Sequence, residues 1–479
     1  MPPIVASVLF YSFIAWLMYN QAKGPKVSAA LWLATIDFAF AASKPVTFWL
    51  YGNDYIYTDP SIIEGDPINR TALILLFVAG LGVLIKRRIR IGSIIALNPA
   101  LMVLLVYLAI SVIWSIDPVI ALKRYFREIG HIIMVLVVLT DVDPVQAIQR
   151  VFLRCSYVLL PLSVLYAKYY PGLGRGYNFW TGEVQYTGVT TNKNTLGMLA
   201  MLMALFLIWR LLNSPKLLRI ANAPDILTLI MAGWLLNIAN SKTSVACFVL
   251  GLLTLLAART QWIRPRIVLV KATVWVVLIA AGVLFMNPTS RGYIAEQLGR
   301  DPTLTTRTAI WDASLALDTN PVIGAGYNSV WLTEGGRRLV HKMNLAHAHN
   351  GYLEVYLNTG MIGVFLLVIM LSSSVRNATR ILAAGMPLGP LLVTWCVVTV
   401  IYNFSEVTFN KDNVVTLGLF LIAIRMDRRS HFINVASPSQ QPAVPGAEQR
   451  QVRPMAHPGR FRKPQFAPKA QMTVGGRLK

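Results

Sequence analysis

Three ionisable residues at the ends of long apolar runs are the first candidates for chemistry: Lys242, Arg307 and His349. A free histidine titrates near neutrality, so His349 is either an interfacial residue or a proton-transfer group. Arg307 lies four residues before Trp311, so the two share one face of a predicted helix, although Arg307 alone also fits a solvated helix residue. Lys242 sits in a short turn between two apolar spans, where a lysine either snorkels to the interface or lines a polar cavity.

Other patterns have simpler interpretations than a metal or nucleotide site. His347 and His349 lack a third histidine or a nearby carboxylate, which a metal site would need. Asp141-Val142-Asp143 resembles a DxD metal motif, but Asp143 before Pro144 is typical of a helix N-cap with proline at the first helical position. Gly324-Ala325-Gly326 predicts a tight turn and not a dinucleotide fingerprint. We therefore expect neither a metal nor a cofactor.

The composition defines the class of protein that positions these residues. The chain has 479 residues, of which 55% are apolar and only 14% charged, yet its formal net charge is +23. A soluble domain carries about a quarter charged residues. So few charges cannot cover a soluble surface of this size, and the apolar content excludes a disordered chain. The sequence therefore predicts an integral membrane protein.

Apolar runs long enough to cross a bilayer recur along the chain, because a helix needs about 20 such residues to span it. Shorter or more polar runs add four candidates, near 4–19, 28–42, 129–140 and 413–425, of which 129–140 has the weakest pattern. We predict an all-α, polytopic membrane protein with about 12 or 13 transmembrane helices. The clear runs lie near 71–85, 99–115, 150–168, 194–212, 224–240, 243–258, 267–286, 352–373 and 387–404.

Lysine and arginine mark the cytoplasmic side, because cytoplasmic loops carry an excess of both. The basic clusters at 86–90, 216–219, 259–271, 376–380 and 425–429 all fall on one predicted side. On the opposite side of the membrane we predict the loops 51–66, 169–193 and 241–242, and a long, partly helical loop at 287–350. The predicted divisions are helices in 1–286, this loop, helices in 351–425, and a disordered basic cytoplasmic tail at 426–479. The net charge is thus mainly a topology signal.

The end of the long loop carries the most specific pattern. His349-Asn350, nine residues, Gly360, two residues and Gly363 form an H-N-x9-G-x-x-G signature. With this signature the chain resembles the O-antigen ligase and polymerase superfamily of bacterial surface-glycan enzymes, and most closely its exopolysaccharide-production polymerase branch. Further matching segments are Arg307 with Trp311, Pro321 with Gly324-x-Gly326, Thr191 to Gly197, Ser43 to Trp49, and Glu64 to Pro67.

The resemblance implies a function. Members of this family transfer a glycan from an undecaprenyl diphosphate carrier to a glycan or lipid-core acceptor, without a metal, at the periplasmic face of the bacterial inner membrane. The expected partners are this lipid-linked glycan, the acceptor and membrane lipids, with no nucleic acid. Loop 287–350 is then the periplasmic catalytic loop, and a single displacement inverts the anomeric centre.

The resemblance also implies roles for individual residues. The catalytic set is His349, Arg307 and Lys242, where Lys242 occupies a Ser-Lys-Thr slot that usually holds arginine. Because lysine is a point charge and not a bidentate fork, this departure matters. The predicted substrate-binding residues are Lys193, Asn192, Asn350, Trp311, Arg337 and Arg338.

Two other classes of function remain as alternatives. A transporter or flippase of lipid-linked glycans should place charges along a central path, whereas mid-span charges are few and Asp37, His131 and Arg154 are the nearest. A polyanion-binding scaffold needs a basic outward surface, but loop 287–350 has six Lys/Arg against five Asp/Glu. Polymerase and ligase differ in their acceptor, which the sequence leaves open.

Overall fold

Helices make up most of the described chain. The computed structural model describes residues 1–52, 66–178, 182–215, 220–260, 307–343, 347–409 and 413–426, together with residues 266, 272, 275, 276 and 411. Among these residues, seven helices are long and apolar enough to cross a membrane, and one bent pair adds an eighth if it forms a single span. The predicted all-α, multi-pass membrane fold is therefore confirmed.

The helices that precede the candidate site run in chain order as follows. The first group is α1 (Pro3–Ala22), α2 (Leu31–Ala41), α3 (Val46–Tyr51), α4 (Pro67–Lys86), α5 (Ile91–Leu97), α6 (Pro99–Ser111), α7 (Pro118–Leu139), α8 (Pro144–Tyr169) and the short α9 (Pro171–Gly174). A hairpin of β1 (Arg175–Tyr177) and β2 (Val184–Tyr186) follows, then α10 (Lys193–Leu212), a 3-10 turn (Ile220–Asn222), α11 (Ala223–Ile238) and α12 (Lys242–Arg259).

The remaining elements begin in the long predicted loop. They are α13 (Arg307–Leu315), a 3-10 turn (Val330–Leu332), α14 (Glu334–Met343), α15 (Gly351–Ala383), α16 (Gly389–Tyr402) and α17 (Val414–Ala423). The loop is partly helical, as the sequence predicts. The predicted segment 287–306 and the tail from residue 427 onward lie outside the described residues.

Each predicted span within the described residues coincides with helical structure. The 99–115 run follows a sharp break, since α5 and α6 are bent by 101° around Asn98. The weak 129–140 run belongs to the longer, continuous α7, whose first half carries four charged residues (Lys123, Arg124, Arg127 and Glu128). Among the shorter apolar helices are α2, α16 and α17, with 10–17 residues each. The predicted 267–286 span lies almost entirely outside the described residues.

Short polar side chains begin many of these helices by accepting bonds from free backbone N–H groups. Asp66, Asp117 and Asp143 each cap a helix that starts with proline. Proline suits the first helical position, where its missing N–H costs nothing. The N-cap interpretation of Asp143 is thus confirmed, and Asp141 of the same motif pairs with Arg87 at 2.9 Å.

The helices α8 and α10 lie at the centre of the bundle and are buried along most of their length, whereas α1 is largely exposed. The central α8 packs against α1, α2 and α11, and α10 packs against α11 and α12. The exposed face of α1 is apolar, as a lipid-facing surface requires. Because lipid is as apolar as the protein core, the lipid-facing side and the buried side of such helices are both hydrophobic.

The two ends of α10 carry separate polar clusters. At its C-terminal end Arg210 pairs with the buried carboxylate of Asp225 at 2.7 Å, and Asp225 also accepts from Tyr157. At its N-terminal end Asn194 donates to Glu406. The Arg210–Asp225 pair and the candidate site therefore lie at opposite ends of α10.

A small antiparallel hairpin departs from the purely helical expectation. Arg175 of β1 lies opposite Tyr186 of β2, inside the predicted outward loop 169–193. The backbone N–H of Lys44 donates to the Val189 carbonyl at 2.8 Å, and Trp49 donates to the Lys44 carbonyl at 3.0 Å. The family-like segment from Ser43 to Trp49 thus docks on the chain that leads from this hairpin to α10.

The glycine signature has a structural cause. Gly360 interrupts α15 with a φ of +63°, which leaves the carbonyls of Leu357 and Asn358 free to accept from Ala325 and Gly326 at 3.0 and 2.8 Å. Beyond the break, the Met361 N–H donates to a backbone carbonyl in the segment that precedes Ala325. The break therefore docks the loop that follows α13 onto α15.

Replacing Gly360 by alanine should destabilise the protein strongly. A left-handed conformation costs an L-residue about 1–2 kcal/mol, and a Cβ at position 360 would also overlap the Val322 carbonyl oxygen. Gly385 is a matched control, since its φ is +69° but nothing lies within 4 Å of its added Cβ. We expect Gly360→Ala to lower the thermal midpoint in detergent clearly more than Gly385→Ala does, and equal shifts would contradict this docking role.

Candidate active site

A buried carboxylate, Glu406, stands at the centre of the candidate site. Its Oε1 accepts a hydrogen bond from Arg307 Nη2 at 2.5 Å and another from Asn194 Nδ2 at 2.9 Å. Its Oε2 lies 3.7 Å from Nδ1 of His349. Two of the three predicted catalytic residues therefore meet on one anion that the sequence analysis did not single out.

A tight turn after α16 holds Glu406 in place. Asn403 accepts from the backbone N–H of Thr408 at 2.9 Å through its side-chain oxygen. The N–H of Gly351 donates to the backbone carbonyls of both Asn403 and Glu406, at 2.7 and 3.0 Å. The start of α15 and the turn that carries Glu406 are thus bonded directly to each other.

The segment 347–349 is fixed by two contacts at its middle residue. The indole of Trp311 donates to the Ala348 carbonyl at 3.0 Å, and the Ala348 N–H donates to Glu354 Oε2 at 3.0 Å. Next to it, His349 adopts a φ of +50°. Such a backbone conformation costs about 1–3 kcal/mol and persists only where surrounding contacts enforce it, often at active sites.

Charge and burial set the protonation of this cluster. Burial alone would raise the pKa of Glu406, but the His349 side chain and the Arg307 guanidinium outweigh it and hold that pKa below its usual value. Burial is the largest cause that lowers the pKa of His347 to about 3, and the neighbouring His349 side chain and Lys411 ammonium act in the same direction. His347 Nδ1 accordingly serves as an acceptor for the His349 N–H at 3.2 Å. At neutral pH the site therefore holds an anionic Glu406 and a neutral His347.

A second buried carboxylate supports the same loop. Glu354 lies in the first turn of α15, and besides the Ala348 N–H it accepts from the Trp331 indole at 2.8 Å. The ammonium of Lys411 lies 3.2 Å from its Oε1. Glu354 thus ties together α15, the loop after α13 and the turn before α17.

Lys242, the third predicted catalytic residue, is exposed at the first position of α12. The predicted tight turn before it is confirmed, since α11 ends at Ile238. Its neighbour Thr243 accepts from the Ser405 hydroxyl at 3.0 Å, and Ser405 directly precedes Glu406. The start of α12 therefore lies beside the turn that carries the central carboxylate.

Several predicted substrate-binding residues near the loop ends cap helices or bond to the backbone. Asn192 caps α10, and Asn350 caps α15 through its side-chain oxygen. Trp311 is buried, and its indole N–H is bonded to Ala348. Lys193, between the Asn192 cap and the site residue Asn194, is half-buried. These contacts position the site, and direct binding by these residues stays a prediction.

Arg337 and Arg338 lie apart from Glu406, on the exposed surface of α14. Arg338 forms an exposed ion pair with Glu334 one turn earlier. Exposed pairs of this kind contribute little to stability, so the charges remain available to a ligand. The α14 residues border an open cleft of about 780 Å³, lined by Leu332, Glu334, Arg337, Arg338, His341 and Lys342.

Sequence reasoning did not single out Glu406 or Glu354, and it included Asn194 only as part of the family-like segment from Thr191 to Gly197. The available signal was a carboxylate at the boundary of an apolar span, where an ionised group needs a partner. Across the described residues, no group of three or more His, Cys, Asp or Glu is arranged to hold a metal ion. The polar contacts of the site are instead between fixed cations, amides and two carboxylates.

Comparison with known proteins agrees with the motif analysis. Residues 226–368 match the family model described as O-antigen ligase. The chain is also 24% identical over 282 residues to the exopolysaccharide production protein ExoQ of Rhizobium meliloti (strain 1021), an alignment that covers 56% of this chain and 62% of that protein. The chain thus spans less than two thirds of this relative. The predicted resemblance to the O-antigen ligase and polymerase superfamily is confirmed.

Proposed function

We propose that the protein is a membrane glycosyltransferase of the O-antigen ligase and polymerase type. It moves a glycan from an undecaprenyl diphosphate carrier to a glycan or lipid-core acceptor at the periplasmic face of the bacterial inner membrane. The observation that carries this proposal is the convergence of Arg307 and His349 on the buried Glu406. The family match over residues 226–368, which includes both of these predicted catalytic residues, supports it.

In the proposed reaction the acceptor hydroxyl attacks the anomeric carbon of the first sugar. The new C–O bond forms as the bond from that carbon to the diphosphate breaks, and His349 accepts the hydroxyl proton. The carboxylate of Glu406 lies on the Nδ1 side of the ring. It favours a proton on Nδ1, so that Nε2 is the acceptor, as in other histidine–carboxylate pairs.

The departing diphosphate gains negative charge, which fixed cations stabilise most effectively where water is scarce. Arg307 supplies one such cation and is only 15% exposed. Lys242 supplies another from the exposed start of α12. The pairing with Glu406 fixes the orientation of the Arg307 guanidinium within the site.

The α14 surface is our candidate binding site for the glycan chain. Arg337 and Arg338 lie beside the open cleft, with His341 and Lys342 one turn further along. Arginine binds carboxylate and phosphate groups through charge-assisted hydrogen bonds that are frequently bidentate. We assign this cleft to the glycan chain of the donor or of the acceptor.

Removing either catalytic cation should impair glycan transfer in the source bacterium. We expect Arg307→Ala to reduce transfer about 10²–10³-fold, the usual cost of losing one preorganised charge-stabilising group. Lys242→Ala should act in the same direction, and Lys242→Arg should retain activity. The measurement is the size distribution of surface, secreted and lipid-linked glycans.

The result also separates the possible functions. Loss of long chains with single repeats retained supports a polymerase, and long chains left on the carrier support a ligase. Arg175 provides a matched control, because this half-buried arginine on the hairpin binds the Ala167 carbonyl and lies outside the site. Normal glycan in Arg307→Ala and Lys242→Ala would exclude the catalytic assignment, and lipid-linked repeats trapped inside the cell would favour a flippase.

A further inference from the structure

Lys411 is a cation beside the catalytic loop that the proposed reaction does not yet use. Its ammonium lies 3.2 Å from Glu354 Oε1, and its side chain is 29% exposed, whereas the Glu354 side chain is 2% exposed. An ammonium has three N–H donors, and the Glu354 contact engages one of them. Lys411 therefore has donors for a further anionic ligand.

Glu354 does not depend on Lys411 for its hydrogen bonds. Its Oε1 already accepts from the Trp331 indole and its Oε2 from the Ala348 N–H. Two bonds of this kind stabilise an ionised carboxylate. A solvent-accessible lysine held rigidly at such an anion is oriented by it, in the way that Glu406 orients Arg307.

Lys411 also lies next to the catalytic loop. The Glu354 carboxylate that contacts its ammonium through Oε1 accepts the Ala348 N–H through Oε2. The loop 347–349 therefore has a second cation nearby besides Arg307, and each of the two is paired with its own buried carboxylate. By contrast, the Lys242 ammonium is exposed at the start of α12.

We propose that Lys411 binds the diphosphate of the carrier lipid, as a second cation anchored by a buried carboxylate. This inference rests on the proposed function and extends it, because it names a phosphate-binding residue outside the segment that matches the family. Two preoriented cations, Arg307 and Lys411, then serve the two phosphates, and Glu354 positions both Lys411 and the catalytic loop.

The experiment measures binding of undecaprenyl diphosphate to the purified full-length protein in nanodiscs. We expect Lys411→Gln to weaken binding about tenfold or more, the range for a lost charge-assisted hydrogen bond, and Lys411→Arg to retain most of it. Lys168→Gln is the matched control, since Lys168 is an exposed lysine at the end of α8. Undecaprenyl monophosphate is the second probe, and its affinity should change less.

A double variant separates phosphate binding from a purely structural ion pair. If Lys411 only neutralised Glu354, Lys411→Gln with Glu354→Gln would restore wild-type binding, which would overturn the inference. Unchanged binding in the single Lys411→Gln variant would overturn it as well. If the wild-type protein bound no undecaprenyl diphosphate, the proposed function would fail with it, whereas wild-type binding that is insensitive to Lys411 would refute this inference alone.

Discussion

Glu406→Gln should reduce glycan transfer at least about a hundredfold, although the residue is not expected to touch the sugar. A hundredfold loss corresponds to about 2.7 kcal/mol in the barrier. The substitution should also destabilise the folded protein, because breaking one side of a buried ion pair costs about 3–5 kcal/mol in folding free energy and leaves an uncompensated charge. Arg307 would be that charge, and His349 would lose the anion beside its Nδ1.

The measurement is transfer by the purified protein, with donor binding followed separately. We expect the loss mainly in the turnover rate, since glutamine keeps a hydrogen-bond acceptor for Arg307 but lacks the charge. Asp312→Asn is the matched control, because Asp312 is exposed on the same helix as Arg307. If Glu406→Gln transferred as fast as Asp312→Asn, the central role of this carboxylate would be wrong.

Donor binding distinguishes this role from simple loss of structure. A variant that is partly unfolded would lose donor binding together with turnover, whereas loss of the Glu406 charge should lower mainly the turnover rate. Thermal unfolding of both variants provides the independent check.

His349→Gln should cost about 10²–10⁴ in transfer rate, the usual contribution of a positioned general base. Its backbone strain at φ +50° is consistent with a residue held for function. Transfer by His349→Gln at the wild-type rate would assign the proton-accepting role to another group.

His347 is the comparison for this prediction, because the two rings lie 4.3 Å apart between centroids. With a pKa lowered to about 3, His347 is a weak base and stays neutral at the pH of catalysis. Its Nδ1 accepts the His349 N–H, a contact that asparagine can imitate. We expect His347→Asn to keep most of the activity, and equal losses in both variants would contradict the assignment of His349 as the base.

Much of the fold follows from local rules. The Asp-Pro and Asn caps, the tight turn before Lys242 and the helix that begins at Arg307 are short-range features, and the structure contains each of them. The apolar run near 129–140 is shorter than the helix that contains it, because the charges in the first half of α7 interrupt the hydropathy pattern of one continuous helix.

The assembly of the site depends on contacts between residues that are far apart in the sequence. Arg307 and Glu406 are 99 residues apart, and Asn194 and Glu406 are 212 apart. No local pattern relates such positions. Glu354 similarly joins Trp331, Ala348 and Lys411 from three segments of chain.

The sequence by itself determined that the protein is a multi-pass membrane helix bundle, because the transfer of apolar segments into lipid depends on composition and length alone. It also determined the signature glycine and histidine positions, since backbone geometry and proton transfer demand particular residue types. The tertiary structure decided which carboxylate anchors each cation, and that Asn192, Asn350 and Trp311 bond to backbone groups at the ends of helices. Burial makes an ionised group depend on its partner, and only the packing of distant helices brings those partners within hydrogen-bond distance.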